Sequence, residues 1–232
     1  MSKQLTMPTH TPWFRGPLSY TDSDMLQVVF TPTKDCIRGL LPQPLQPGLL
    51  GGAYVARFCN SYLAPEIWEA ALVVQCTYKE HYGVFCISMY CDLDASVVAH
   101  REIWGFPAKL AKFEWKQKKD HITARVIRNK VPLLTLDVDL EGPGDWIDTG
   151  AAINLKLIPS VDGRTYDLNQ ITAAKLETKI HEGKGGAGKL VFGHTDDDPL
   201  DKLFKLENVV AGMYFKLDLK CPFGQIIGEA NL

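Results

Sequence analysis

Residues 100–110 bring together side chains that can transfer protons, bind anions and attack carbonyl groups. His100 is a histidine, the residue type that is best suited to proton transfer near neutral pH. Arg101 can hold a carboxylate or an enolate through two parallel hydrogen bonds. Lys109 carries an amine that can form an imine with a carbonyl carbon when the amine is neutral. This composition predicts a built site rather than a solvated surface.

Each of these residues also has a purely structural interpretation. His100 could lie on a helix surface, and Arg101 with Glu102 could pair with a neighbouring strand and fix the helix. Trp104 and Phe106 are most simply core residues, although they could instead wall an apolar cavity that suits a hydrophobic substrate. The residues by themselves leave both interpretations open.

Glu69 is a further candidate, because it stands among apolar residues where a predicted strand begins. A carboxylate in such a setting is rarely buried unless it is paired or functional. It could form a salt bridge, for which Arg101 is the candidate partner, or it could act as a general acid or base. Glu69, His100 and Lys109 are therefore the candidate catalytic residues.

The elements that must position these side chains are mainly strands. Apolar residues alternate with a period of two over residues 54–59, 68–78, 83–93, 121–128 and 133–140, which predicts strands. Residues 110–115 alternate in the same way. Turn residues separate the strands as in meanders, so we predict a mainly β, mostly antiparallel fold that forms a barrel or a highly curved sheet.

Helical signals are few. Thr33 is predicted to cap a short helix over residues 34–41, and Asp94 a helix over residues 95–104 that Gly105 ends. One more helical turn is predicted over residues 199–204. The glycine-rich run at residues 183–188 is predicted to be a flexible loop, because it lacks the spacing of a phosphate-binding loop.

Composition excludes several functional classes. The chain has 232 residues, 46% of them hydrophobic and 22% charged, which predicts one globular domain with a sizeable core. Its formal net charge of -2 gives no basis for binding nucleic acid or an anionic membrane. No apolar run approaches the roughly 20 residues that span a bilayer. Residues 1–12 lack the apolar core of a signal peptide, so we expect a cytoplasmic protein.

The six cysteines are expected to be free, buried thiols that pack as small hydrophobes. Neither the cysteines nor the six histidines have the sequence spacing of metal ligands. Cofactor motifs are also lacking. We therefore expect a protein that uses neither a metal nor a cofactor and binds a small-molecule substrate.

Co-linear motifs over nearly the whole chain resemble the acetoacetate decarboxylase family. They lie at residues 14–17, 41–45, 62–69, 100–110 and 154–163. The resemblance implies a cone-shaped, mostly antiparallel β-barrel with a few peripheral helices, in a homo-oligomer. Members of this family form an imine between substrate and the first lysine of a Lys-Lys pair.

Carried over residue by residue, the resemblance implies active-site positions at Glu69, Arg101, Glu102 and Lys109. The imine-forming lysine, however, falls on Ala108, which cannot form an imine. A second family carboxylate falls near Tyr54, and a family arginine falls near Ser23. His100 replaces the family glycine that precedes the Arg-Glu pair. The candidate substrate-binding residues are thus Tyr54, Arg101, Glu102, Trp104, Phe106 and Ala108.

Lys109 could replace the missing amine only if it reached the same cavity as Ala108. If this segment is extended, adjacent side chains point to opposite faces, which predicts that Lys109 points away. The favoured function is a cofactor-free enzyme of this family that catalyses a non-decarboxylating step, such as proton transfer, dehydration, cyclisation or a pericyclic reaction, on a small keto or polyketide-like substrate of secondary metabolism. A decarboxylase that uses Lys109 and a non-catalytic ligand-binding protein are the alternatives.

Overall fold

The computed structural model describes residues 17–232, and within them thirteen strands form a single sheet. The strands are β1 Leu18–Pro32, β2 Gln46–Cys59, β3 Glu66–Tyr78, β4 His81–Cys91, β5 Ala108–Leu110, β6 Lys112–Lys118, β7 His121–Arg128, β8 Val131–Pro143, β9 Ala151–Pro159, β10 Tyr166–Ala174, β11 Glu177–Phe192, β12 Leu206–Cys221 and β13 Gln225–Gly228. The helices are α1 Lys34–Leu40, α2 Asp94–Ala99 and α3 Leu200–Leu203, and a π-helical turn covers His100–Trp104. The predicted mainly β fold class is confirmed.

The strand order is β13-β10-β9-β4-β3-β2-β1-β12-β11-β8-β7-β6, with β5 paired to β4 off this path. Neighbouring strands are antiparallel except that β4 runs parallel to both β5 and β9. Within residues 17–232, the end strands β6 and β13 do not pair, so backbone hydrogen bonds do not close the sheet into the expected barrel. The sheet nevertheless curves strongly. Strands β3 and β6 are far apart in the strand order, yet Trp115 of β6 packs on Trp68 of β3 at 5.9 Å between ring centroids.

The strands expected over residues 54–59, 68–78, 83–93, 121–128 and 133–140 are present as β2, β3, β4, β7 and β8, whereas the alternating segment 110–115 is divided at Ala111 between β5 and β6. The helix predicted after Thr33 is confirmed. The Thr33 side chain accepts a hydrogen bond from the backbone N–H of Cys36 at 3.4 Å. Two local predictions are wrong. Residues 183–188 are not a loop but belong to β11, and a Cβ atom at Gly186 would lie 2.0 Å from the Asp139 backbone oxygen. These glycines therefore permit close strand packing rather than flexibility.

The second predicted helix differs from the structure at its start and over its last residues. Its N-cap is Leu93 and not Asp94, which lies in the first turn. The regular helix ends at Ala99, and the chain continues as the π-helical turn to Trp104. Gly105 then adopts φ 82°, a left-handed conformation that glycine reaches without steric cost. π-Helical turns are rare and often occur at functional sites.

Two apolar clusters pack on opposite faces of the sheet. Along β2, Ala53 and Val55 belong to one cluster, whereas Ala56 and Phe58 belong to the other. This burial of both faces explains why the strands are nearly continuous in apolar content. The second cluster surrounds the cavity described below and is called the cavity cluster.

Three further sequence predictions can be compared with the structure. All six cysteines are free, and four of them are buried. Among the described residues, none of the helices has the length and apolar character needed to cross a membrane. The prediction for residues 1–12 and most of the motif at residues 14–17 lie outside the described residues.

Candidate active site

A cavity of about 310 Å³ opens on the face of the sheet that carries the cavity cluster. Its walls are largely apolar, and side chains from distant parts of the chain line it, including Met25, Phe58, Val73, Met89 and Phe106. The polar groups that reach it are few, as in cavities that bind small molecules. The most buried of them are Tyr20, Glu69 and His100.

Glu69 reaches this cavity from β3 because side chains alternate along the strand. Ala70 and Leu72 face the other cluster, whereas Glu69 and Ala71 line the cavity. Glu69 is only 4% exposed. Its Oε1 atom accepts a hydrogen bond from the Tyr54 hydroxyl at 2.5 Å, across the antiparallel β2–β3 pair. Glu69 is thus a buried carboxylate with one oxygen held in place.

The other oxygen of Glu69 faces His100. His100 Nε2 lies 3.2 Å from Glu69 Oε2, and both side chains are about 5% exposed. The two groups are within ion-pair distance, and Oε2 has no hydrogen-bond partner among the described residues. This oxygen therefore keeps a lone pair that is free for a substrate proton.

The His100 ring is held from its other side. Nδ1 lies 2.7 Å from the backbone carbonyl oxygen of Ser96, one helical turn earlier. A carbonyl oxygen can only accept, so Nδ1 carries a hydrogen and Nε2 is the nitrogen that gains or loses a proton. The ring also packs against Trp104 and Phe106, at 5.7 and 5.4 Å between centroids. Nε2 and Glu69 together can accept and return a proton in a water-poor site.

Both tyrosines beside Glu69 are neutral hydrogen-bond donors. Burial and, next, the negative charge of Glu69 raise the pKa of Tyr54 well above its ordinary value. The same two causes, in the same order, raise the pKa of Tyr20. The two phenols therefore stay uncharged beside Glu69.

Ala108 and Lys109 lie on opposite sides of β5. Ala108 is 2% exposed and belongs to the cavity cluster with Met89 and Phe106. The Lys109 ammonium instead forms a very short ion pair with Asp198, and it also contacts the Asp197 backbone oxygen at 3.4 Å. Neither Lys109 nor Ala108, which was expected to bind substrate, is among the residues that line the cavity. The alternation expected from the sequence is present here.

Asp198 is the residue that fixes the position of the Lys109 side chain. Its carboxylate is 2% exposed and binds Arg128 Nε at 2.9 Å in addition to Lys109. The Tyr90 hydroxyl donates to Asp198 at 3.1 Å. The ion pair holds the Lys109 amine outside the cavity, where it cannot reach the carbonyl carbon of a bound substrate to form an imine.

The remaining predicted residues divide between the cavity and its surroundings. Tyr54 and Phe106 line the cavity, whereas Arg101, Glu102 and Trp104 do not. Arg101 is exposed, and its guanidinium donates to the Ala108 backbone oxygen at 3.4 Å. The suggested Glu69–Arg101 salt bridge is wrong, because the ion-pair partner of Glu69 is His100.

Trp104 and Ser23, two positions that the sequence analysis singled out, lie outside the cavity and act in packing. Trp104 is 1% exposed, and its indole N–H donates to the Pro222 backbone oxygen at 2.7 Å, so it is a core residue. Ser23 is fully buried, and its hydroxyl accepts from the backbone N–H of Cys59 at 3.1 Å. Both positions support the sheet around the cavity.

Several cavity residues carried no sequence signal. Tyr20, Cys86 and Trp146 come from β1, β4 and the segment between β8 and β9, and they meet only in the folded chain. Lys175 and Asp148 also line the cavity, and both are exposed. For Tyr20, the sequence offers only its position three residues after the motif at residues 14–17.

One arrangement bears on the expectation that no metal is used. Within residues 17–232, ligand atoms of Glu69, Cys91 and His100 lie within 4.8 Å of one another. These groups could surround a single ion, although the sequence separates them. Burial and then the charge of Glu69 raise the pKa of the Cys91 thiol well above its ordinary value. Metals bind the thiolate, so an ion at this position would have to displace the Cys91 thiol proton.

Comparison with known proteins agrees with this fold. The family model for acetoacetate decarboxylase (ADC) matches residues 6–229. An acetoacetate decarboxylase of Burkholderia ambifaria (strain MC40-6) is 27% identical over 236 residues, covering 97% of this chain and 95% of that protein. The crystal structure of an acetoacetate decarboxylase from Legionella pneumophila has a TM-score of 0.86 and 25% identity, covering 92% of this chain and 88% of the other.

A third similarity concerns the fold alone. The enduracididine biosynthesis enzyme MppR has a TM-score of 0.81 at 14% identity, covering 98% of this chain and 94% of the other. Taken with the family match and the shared sheet, these similarities define the class of the protein. The chain belongs to the acetoacetate decarboxylase family.

Proposed function

We propose that this chain is a cofactor-free enzyme that moves a proton at a carbon next to a carbonyl group, in a non-decarboxylating reaction of a small keto or polyketide-like substrate. Isomerisation, dehydration and cyclisation all contain such a step. One observation carries the proposal: a buried carboxylate with a free oxygen stands beside a histidine nitrogen at the wall of an apolar cavity.

The cavity favours this chemistry for two physical reasons. Proton transfer from carbon needs a base within reach, and Glu69 Oε2 supplies a lone pair that no donor occupies. Apolar walls exclude water, which strengthens the interactions of the base with its substrate. A role in secondary metabolism and a homo-oligomeric assembly belong to the same proposal and rest on the family resemblance.

Imine-based decarboxylation is the alternative that the family name supports. It requires a neutral amine inside the cavity, yet Ala108 stands at the imine position and Asp198 holds Lys109 outside. The lining does include one lysine in the described part of the chain, Lys175, which is exposed. Borohydride reduction in the presence of acetoacetate, followed by peptide mass spectrometry, therefore shows whether any lysine of the chain forms an imine.

Proton exchange in heavy water is the direct test. Acetylacetone and acetoacetate serve as probes, and NMR follows loss of the proton signal at the carbon between the carbonyl groups. We expect the protein to accelerate exchange of at least one probe without forming a borohydride adduct. A reduced adduct on Lys109 or Lys175 would establish imine chemistry instead. Binding of the probes without exchange or turnover would favour the non-catalytic ligand-binding protein.

A further inference from the structure

Two buried polar atoms of the cavity lack a hydrogen-bond partner. They are the Tyr20 hydroxyl oxygen and Glu69 Oε2. Tyr20 is 2% exposed. A buried hydroxyl without a partner destabilises the folded protein, so such groups usually have a functional reason.

The Tyr20 ring is held rigidly on the cavity wall. It stacks on Phe58 with 4.6 Å between ring centroids and 21° between planes. Its strand β1 pairs with β12, where Leu219 lies opposite Tyr20 and also lines the cavity. The hydroxyl is therefore positioned without any hydrogen bond of its own, and it remains a neutral donor for the reasons given above.

We propose that the Tyr20 hydroxyl binds the carbonyl oxygen of an uncharged, enolisable substrate. This inference rests on the proposed function and adds a catalytic residue and a substrate class to it. A donor for the carbonyl oxygen and a base for the neighbouring carbon are the two groups that enolisation requires. Tyr20 and Glu69 Oε2, the two buried cavity atoms without a hydrogen-bond partner, supply them.

The step balances as follows. Glu69 Oε2 takes the proton from the carbon next to the carbonyl, and the C–H electron pair forms a carbon–carbon double bond. The carbonyl π electrons move onto oxygen, whose negative charge accepts the Tyr20 O–H hydrogen bond. Return of the proton to carbon, at the same or a conjugated position, regenerates the carboxylate. No oxidant, reductant or further reactant is consumed.

The charges around the cavity favour an uncharged substrate over a keto acid. Among the described residues, the ionisable groups that line the cavity include two carboxylates, Glu69 and Asp148, the lysine Lys175, and His100, which pairs with Glu69. Arg101, the residue expected to bind a substrate carboxylate, lies outside. A carboxylate beside Glu69 would be repelled, and an apolar environment strengthens that repulsion.

The test compares Tyr20→Phe with the matched variant Tyr90→Phe. Tyr90 is also fully buried, but its hydroxyl bonds Ser88 and Asp198 away from the cavity. We expect Tyr20→Phe to keep the stability of the wild type, to lower acetylacetone exchange by about 100-fold or more, and to weaken acetylacetone binding measured by calorimetry. Tyr90→Phe should do the reverse, with lower stability and unchanged exchange per folded molecule.

Acetoacetate, which matches acetylacetone in size but carries a carboxylate, should bind more weakly to the wild type. Wild-type exchange and binding in Tyr20→Phe, or tighter binding of acetoacetate, would overturn the inference. Loss of stability in Tyr20→Phe with normal exchange would make Tyr20 a packing residue. In each of these outcomes the exchange activity itself survives, so the proposed function would stand; failure of the wild type to bind acetylacetone would refute both.

Discussion

Replacing Glu69 by glutamine separates proton transfer from structural support. The amide oxygen of the new side chain can still accept the Tyr54 hydrogen bond that Oε1 accepts at 2.5 Å. Its NH₂ group can take the place of Oε2, 3.2 Å from His100 Nε2. Since Nδ1 of His100 donates to the Ser96 carbonyl, Nε2 is available to accept from that amide. The variant should therefore fold with nearly wild-type stability.

The expected loss of activity follows from the chemistry of the group. General acid–base residues contribute roughly 100- to 10,000-fold to a rate. At about 1.36 kcal/mol per factor of ten, this corresponds to about 2.7–5.4 kcal/mol of barrier height. The amide keeps volume and hydrogen bonding but cannot take a proton from carbon, so the whole of this contribution should be lost.

The assay measures exchange and unfolding on the same sample. Heavy-water exchange of acetylacetone gives the rate per folded molecule, and thermal unfolding gives the stability. Glu66→Gln, an exposed position on the same strand β3, is the matched control and should change neither quantity greatly. If Glu69→Gln exchanges as fast as the wild type, Glu69 is not the base. If it loses several kcal/mol of stability but keeps its rate, the Glu69–His100 pair is structural.

Four further outcomes are expected. Ala108→Lys should allow borohydride trapping with acetoacetate, since this site in the cavity cluster would desolvate the introduced amine and favour its neutral form; a folded variant without an adduct would contradict this. Asp198→Asn should lower the free energy of unfolding by about 3–5 kcal/mol, because it leaves Lys109 and Arg128 without their carboxylate, while exchange per folded molecule should change little; a large kinetic effect would bring Lys109 back into the mechanism. Stability should fall as pH rises from about 9 to 12, since burial raises the pKa of Cys76 from 9.0 to about 12 and the unfolded thiol ionises first; in Cys76→Ala, chemical denaturation at several pH values should show a shallower fall. Dialysis against a chelator should leave exchange unchanged, and a loss that zinc restores would assign the Glu69, Cys91 and His100 group to a metal.

The sequence determined the fold class and the opposite orientations of Ala108 and Lys109. Period-two alternation identified β2, β3, β4, β7 and β8, and β7 has the bounds that were predicted, His121–Arg128. The same alternation placed Ala108 and Lys109 on opposite faces, because adjacent side chains of any strand diverge regardless of what surrounds them. Thr33 likewise marked a helix start through a contact only three residues long. These features depend on neighbours in the chain, which the sequence states directly.

Local signals failed where a remote part of the chain decides the outcome. The glycine run at residues 183–188 has the composition of a loop, but its backbone packs closely against β8 and β12, so it is a strand. The helix after Asp94 becomes a π-helical turn where His100, Trp104 and Phe106 pack together. In both cases tertiary contacts override a local preference.

The site shows the same division. The sequence selected Glu69, His100, Tyr54 and Phe106, but it paired Glu69 with Arg101 instead of His100. Only the tertiary structure decided which side chains share the cavity, since Tyr20 and Glu69 are far apart in the chain and meet because strands β1, β2 and β3 are neighbours in the sheet. Whether a buried oxygen finds a partner depends on every group around it in three dimensions. The two unpartnered atoms therefore have no counterpart in any local pattern of residues.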